Sequence, residues 1–290
     1  MKVGIVQGNI PQTLKWDSSV QELILAKYEQ LTELVSLNDP DIIFWPETSV
    51  PGVLPEEKKL LERLRNLARK GKSFLLVGSV TRTEEGFTNS ALLIGPAGET
   101  KRRYDKLHLV PYGEYIPFEK QFSILRHWIV TGDFIAGKDP TVFEHPKGPF
   151  SVLICFEDIF PDLARRFVGE GAQYLVNITN DAWFLKSAAP YQHAQASVFR
   201  AVENHVPVLR AANTGLSCVI DANGRLLGTV SDEKGEEIEV TGSRSFIFPL
   251  AADHRVTFYT THGDFFAKGC LLFSLLAWGS WWLQTRSAKT

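Results

Sequence analysis

The chain has 290 residues, 44% of them hydrophobic, with 31 Lys+Arg against 33 Asp+Glu and a mean hydropathy of -0.07, which excludes both a disordered chain and a wholly membrane-embedded bundle. A formal charge of -2 offers no basic surface for nucleic acid. Three cysteines, Cys155, Cys218 and Cys270, form neither a closed disulfide set nor a Cys/His spacing suited to zinc, and no motif calls for a cofactor.

At roughly 150 residues per domain the length admits two domains, yet layered α/β folds reach about 250 residues around one core. Residues 1–250 therefore read as one body. Its N-terminus runs straight into a strand pattern (Lys2–Gln7) without the apolar stretch of a secretory signal, which taken alone reads as cytoplasmic. A helical spacing of apolar residues over 19–37 leads to a second apolar run at 41–45, completing a strand–helix–strand unit. Pro55 opens a helix over 56–70 that Gly71 should end. Strands follow at 73–80, 89–94 and Thr100–Asp105, separated by Gly-containing turns.

From 106 to about 147 the chain is rich in Pro, Gly and aromatic residues and has no sustained period, a length that suggests a functional loop. Beyond it, strands are expected at 150–155, 174–178 and 207–211, with helices at 161–168 and 191–204 between them. Strands at 217–220 and 225–230 flank Asp221-Ala222-Asn223-Gly224, a hairpin signal. Helices interposed between strands, with hairpins at two places, point to an α/β sandwich.

After a connector at 251–264, residues 265–283 carry a single charge, Lys268, and approach the roughly 20 residues that cross a bilayer. Trp278, Trp281 and Trp282 suit an interfacial belt, and Arg286 and Lys289 in the 284–290 tail place that end on the cytoplasmic side. The competing reading is a terminal helix packed on the body or at an oligomer interface.

Three chemistry-bearing residues stand at the ends of apolar strands. Cys155 follows Phe-Ser-Val-Leu-Ile, Glu47 follows Ile-Ile-Phe-Trp-Pro, and Lys106 closes Arg-Arg-Tyr-Asp. Each alone reads as an ordinary buried thiol or a solvated charge. Together they put a carboxylate, an ammonium and a thiol where α/β folds gather ligands. A thiol of pKa about 8.5 needs a base or a cation to attack a carbonyl. Glu47 can be the base. Lys106 and a backbone N–H just after Cys155 can hold the oxyanion. His108 and His193, with no second His or acid at ligand spacing, read as structural. Cys218 in a strand and Cys270 in the tail read as inert.

These three segments resemble the Glu-Lys-Cys triad of the nitrilase, or carbon–nitrogen hydrolase, superfamily. Within it the likeness is greatest to the extracytoplasmic catalytic domain of bacterial apolipoprotein N-acyltransferases. Supporting segments are Gln7–Asp17, His108–Glu114, Thr179–Phe184 and Arg210–Gly215, so the likeness spans roughly residues 1–230. It implies a four-layer αββα sandwich and a two-step transfer. A fatty acyl group would pass from a phospholipid donor to Cys155 as a thioester, then to the α-amino group of a diacylglyceryl-cysteine lipoprotein acceptor. The resemblance also implies that Glu114 holds Lys106, that Glu157 and Phe156 lie near the nucleophile, and that Trp183 and Trp16 belong to the site. For Glu114 and Glu157 the bland alternative is a structural ion pair; for Trp183 and Trp16 it is packing.

The likeness implies a bacterial inner membrane location with the catalytic body outside the cytoplasm. It also implies membrane helices ahead of that domain in a complete enzyme, so that a chain starting at Met1 is an excised domain or a shortened or split homologue. Two other readings stay open. One is a soluble cytoplasmic amidase of the same superfamily, in which water resolves the acyl-enzyme. The other is a catalytically silent homologue that acts as a binding module.

Overall fold

Along the central strands of the first half, side chains alternate between two apolar environments, and that alternation builds the layers. In β1 (Lys2–Gln7) Val3 and Ile5 enter one core while Val6 enters the other; in β2 (Ile42–Phe44) Ile42 and Phe44 part from Ile43 in the same way. A strand buried on both faces loses its polar alternation, which is why these segments read as continuous apolar runs. The computed structural model describes residues 1–15, 17–117, 134–250 and 256–287.

Among the described residues the strands form two mixed sheets. The first runs β13–β1–β2–β4–β5–β6, with the short β3 (Val53–Leu54) also pairing with β4; the second runs β12–β11–β10–β9–β8–β7. The remaining strands are β4 (Phe74–Arg82), β5 (Phe87–Ile94), β6 (Thr100–Asp105), β7 (Val142–Phe143), β8 (Phe150–Ile154), β9 (Tyr174–Thr179), β10 (Val208–Ala212), β11 (Cys218–Ile220), β12 (Leu226–Thr229) and β13 (Gly242–Ile247). The sheets pack face to face. Phe44 of the first meets Phe150 of the second edge-on at 5.9 Å, and Phe150 stacks on Phe143 and Tyr174.

Helices cover both outer faces. On the first sheet lie α1 (Gln21–Ser36), which buries Leu25, Tyr28 and Val35, and α2 (Lys58–Gly71), which buries Leu61 and Leu64. On the second lie α3 (Pro161–Gly169), burying Leu163 and Phe167, and α4 (Ala189–Asn204), burying Ala194 and Ala201. The expected αββα layering is present.

Some local expectations shift. Helix α2 starts at Lys58, and Gly71 is its last residue. Lys72, at φ 50°, takes the left-handed capping position expected of Gly71, with its N–H turned back to the end of the helix. Strands β3 and β7, two apolar residues each, are too short to show a period, and a third unexpected strand, β13, is mostly polar. The third completes an edge by pairing antiparallel with β1 over its whole length. The connector holds α5 (Phe258–His262), tied to the body where Thr257 Oγ1 donates to the Glu203 carbonyl (2.6 Å) and Thr260 Oγ1 to Asn204 Oδ1 (3.0 Å). Helix α6 (Phe265–Ser287) is long and apolar enough to cross a membrane, and its most apolar stretch buries nothing against the body.

Candidate active site

Parallel strands β1, β2, β8, β9 and β10 all end on one side of the sandwich, and the loops leaving them converge there. After β2, Trp45 N–H still bonds to Leu76 O, but Pro46 has no donor and the ladder stops. Thr48, at φ 43°, turns the chain. Gly78 of β4 makes room for this turn. A Cβ there would run into Pro46 O and approach Glu47 Cα to 2.7 Å. The buried Glu47 carboxylate is held from both sheets: Oε1 accepts from Asn89 Nδ2 of β5 (2.7 Å), and Oε2 from the Asn180 N–H beyond β9 (2.9 Å).

Lys106 continues β6 and donates its N–H to Asn89 O (2.8 Å). Its ammonium, 1% exposed, lies 2.9 Å from Glu114 Oε1 and 3.6 Å from Glu47 Oε1. Glu114 is itself fixed, Oε2 by Val110 N–H (2.8 Å) and Oε1 by Asn89 Nδ2 (3.1 Å). Burial alone would lower the Lys106 pKa. The charges of Glu47, Cys155 and Glu114 overcome it and hold the ammonium above its ordinary range.

Cys155 begins a single turn of 3-10 helix, Cys155–Ile159, with a backbone φ of 55° that non-glycine residues seldom adopt. The surroundings hold it there. Its carbonyl accepts from Asn177 Nδ2 (2.9 Å) and lies 3.3 Å from His193 Nε2. Glu157 takes hydrogen bonds from Ile154 N–H (2.7 Å), Leu107 N–H (2.7 Å), His108 N–H (3.0 Å) and the Tyr104 hydroxyl. It joins the nucleophile turn to the segment carrying Lys106, so its place is that of a clamp between two strand ends. Burial pushes its carboxyl up to about 7, with the N–H donors opposing the rise.

Burial, Glu47 and Asp181 drive the Cys155 thiol well above its ordinary range, while Lys106 and the Thr179 hydroxyl pull the other way. At neutral pH the resting sulfur is protonated, so a base must act as it attacks.

Behind the nucleophile lies a buried charge network. His193 sits between Asp181 Oδ1 (Nδ1, 2.8 Å) and Asp158 Oδ1 (Nε2, 2.9 Å), and Asp158 also pairs with Arg210 (2.6 Å) and accepts from Ser197 (2.6 Å). Burial and Arg210 disfavour a charged imidazole, but the two carboxylates outweigh them and raise His193 to about 9. This is the structural histidine the sequence suggests, with partners supplied by the fold.

Glu47, Lys106, Glu114 and Cys155 thus come together. Phe156 is half-buried against the His193 ring (5.3 Å), whereas Trp183 is 70% exposed, which removes the packing explanation for it. Trp16 lies outside the described residues. His108 stacks on Phe160. Sequence reasoning passed over Asn89, Asn180 and Asn213 as site residues, although an asparagine in or just past an apolar strand is a usable signal, and it passed over the buried Lys15. Exposed apolar residues crowd the loops leaving the site: Tyr112 and Tyr115 after Lys106, Ile159 and Phe160 after Cys155, Trp183 and Leu185 after β9. Among the described residues no group of three or more His, Cys, Asp or Glu side chains is disposed to hold a metal ion.

Residues 2–242 match the carbon–nitrogen hydrolase family profile. The chain is 41% identical over 276 residues to the apolipoprotein N-acyltransferase of Geobacter metallireducens, covering 93% of this chain and 51% of that protein. Like-named proteins of Brucella melitensis (37%, covering 80% and 46%) and Allorhizobium ampelinum (33%, covering 94% and 52%) also match. The chain therefore spans about half the length of these relatives. Among solved structures, an amidase from Nesterenkonia sp. AN1 superimposes with a TM-score of 0.63 at 21% identity, covering 86% of this chain and 93% of that one. Another structure of that amidase shows acrylamide added to its active-site cysteine.

Proposed function

This chain belongs to the carbon–nitrogen hydrolase family, and we propose that it is the catalytic part of a bacterial membrane acyltransferase acting on lipoproteins. The phospholipid donates the acyl group, Cys155 carries it, and the N-terminal α-amine of a diacylglyceryl-cysteine lipoprotein receives it. The observation that carries the reading is the meeting of Glu47, Lys106 and the Cys155 turn at one end of the sandwich, in a chain whose relatives bear the acyltransferase name.

In the first step Glu47 takes the thiol proton as sulfur bonds to the donor's ester carbonyl. The carbonyl electron pair moves onto oxygen, where the Lys106 ammonium and the backbone N–H of Phe156 receive the negative charge. The tetrahedral intermediate collapses to a thioester, and the departing glyceryl oxygen takes the proton back from Glu47. In the second step the α-amine attacks the thioester and loses a proton to Glu47. The amide forms, and the sulfur leaves as a thiolate that recovers that proton.

The soluble amidase reading explains neither the exposed apolar residues around the site nor α6, both of which suit a membrane-borne substrate. Incubating the chain with phospholipid and a diacylated lipopeptide tests the choice by mass analysis. Acyl transfer yields a peptide heavier by one fatty acyl group, held as an amide. Free fatty acid with an unchanged peptide means that water is the acceptor and the proposal is wrong.

A further inference from the structure

Two buried lysines face Glu47, and the mechanism above uses one. Lys15, on the loop after β1, is 3% exposed, and its Nζ donates to the backbone carbonyl of Glu47 at 2.9 Å. Its loop is fastened to the site at two points. Asn213 accepts from Ile10 N–H (2.9 Å) and donates to Ile10 O (2.7 Å), and Asn180 Nδ2 donates to Gln12 Oε1 (2.6 Å). The same Asn180 supplies the N–H that holds the Glu47 carboxylate. Glu47 is therefore fixed by its side chain and, through Lys15, by its main chain.

A neutral donor would satisfy a carbonyl at lower desolvation cost than a buried ammonium. What distinguishes lysine here is charge, which the 2.9 Å contact sets at the main chain of Glu47, the base that serves Cys155. We propose that Lys15 is a positioning residue for the acyl-transfer reaction, locking the Glu47 turn and adding a second positive charge that favours the thiolate as the thiol gives up its proton. The inference rests on Cys155 being the nucleophile and Glu47 its base.

The groups whose charge bears on this ammonium are Glu47 after β2 and Cys155 after β8, with Lys106 after β6 at the Glu47 carboxylate. Burial lowers Lys15 to about 8 against the pull of Glu47 and Cys155. Lys106, held by two carboxylates, stays charged far above that pH. The second charge thus disappears just above neutrality while the first remains.

The test follows alkylation of Cys155 by iodoacetamide from pH 6 to 10, with peptide-resolved mass detection because Cys270 is exposed and Cys155 only partly so. The wild-type chain, Lys15→Gln and Lys15→Met are compared, with melting temperature as the folding control. Wild-type log rate should flatten near pH 8 as Lys15 discharges. Both variants should react about tenfold more slowly at pH 7 and show no such break, one pH unit in thiol pKa being a tenfold change in thiolate. Lys15→Gln keeps an N–H donor without charge, so a folded Gln variant with the wild-type rate and profile overturns the proposal. Should the variants fail to fold, a wild-type profile without a break between pH 7 and 9 overturns it equally. No lipid enters this assay, so a chain that alkylates as expected yet transfers no acyl group refutes the substrate assignment and leaves Lys15's role standing.

Discussion

Lys106 Nζ lies 3.6 Å from Glu47 Oε1, and both side chains are buried although one continues β6 and the other follows β2. Neither strand end could keep its charge in that position alone. A lone buried charge costs several kcal/mol, and removing one partner of a buried pair costs about 3–5 kcal/mol because the other is stranded. The pairing, extended by Glu114 and Asn89, keeps a buried ammonium at the site of the nucleophile.

Lys106→Met should lower the acylation rate by roughly 10²–10³, the usual loss when an oxyanion donor is removed. It should also destabilise the fold, because Glu47 and Glu114 are left without their cation. Single-turnover kinetics on the folded fraction separates the effects. Near-normal turnover would move the oxyanion donor elsewhere.

Gly78→Ala targets the Trp-Pro-Glu turn without touching a functional side chain. The added methyl meets backbone atoms of Pro46, Glu47 and Thr48, which cannot swing aside as a flexible side chain would. We expect a loss of about 1–3 kcal/mol in stability, as for other overpacked sites, with a fall in kcat as Glu47 is displaced. Denaturant unfolding alongside steady-state kinetics checks both. Full activity in this variant would mean that the Glu47 turn tolerates displacement.

His193 predicts a pH dependence of stability. Its folded-state pKa, about 9, lies above the unfolded value of 6.5, so the folded chain holds a proton that the unfolded chain releases. That stabilisation is complete below pH 6.5 and is lost as pH rises through 9. It amounts to about 3 kcal/mol at ~1.4 kcal/mol per pH unit over that interval. Lys15, discharged near pH 8 when folded, acts in the opposite direction over part of this range, so the readout is the difference between the wild-type chain and His193→Gln. Measured in detergent from pH 7.5 to 9.5, the wild-type urea midpoint should fall relative to that of His193→Gln; a constant difference would assign no pH dependence to His193.

Helix α6 should account for membrane partition. A chain ending at Asp264 keeps α5 on the body and loses the exposed apolar helix, so it should leave vesicles for the aqueous phase while the full chain stays bound. If the shortened chain stays on vesicles, the apolar residues around the site suffice for binding.

What could be read from sequence follows from how strongly each element is stamped on its own residues. Strands β1, β2, β5 and β8 are buried on both faces and announce themselves as apolar runs, so the residues just past their ends, Glu47 and Cys155, could be located. Strand β13, Gly-Ser-Arg-Ser-Phe-Ile, is an edge strand with mostly polar residues, and only its pairing with β1 makes it a strand. Helix α2 runs on to Gly71 because its last carbonyls accept from the N–H of Lys72 in a left-handed turn, an outcome that a glycine in sequence does not foretell. The triad was legible because each member carries its own chemistry. Lys15 was not, since its burial depends on Asn180 and Asn213, far along the chain. The partners of His193 were hidden for the same reason: Asp158 is 35 positions away and comes close only through the second sheet.

The account stands most directly on the covalent state of Cys155. Incubation with phospholipid alone, with no acceptor, followed by intact-protein and peptide mass analysis, should show one fatty acyl group on Cys155. That group should be released by hydroxylamine and absent from Cys155→Ala. A wild-type chain that gains no mass, or an adduct that persists in Cys155→Ala, would contradict it.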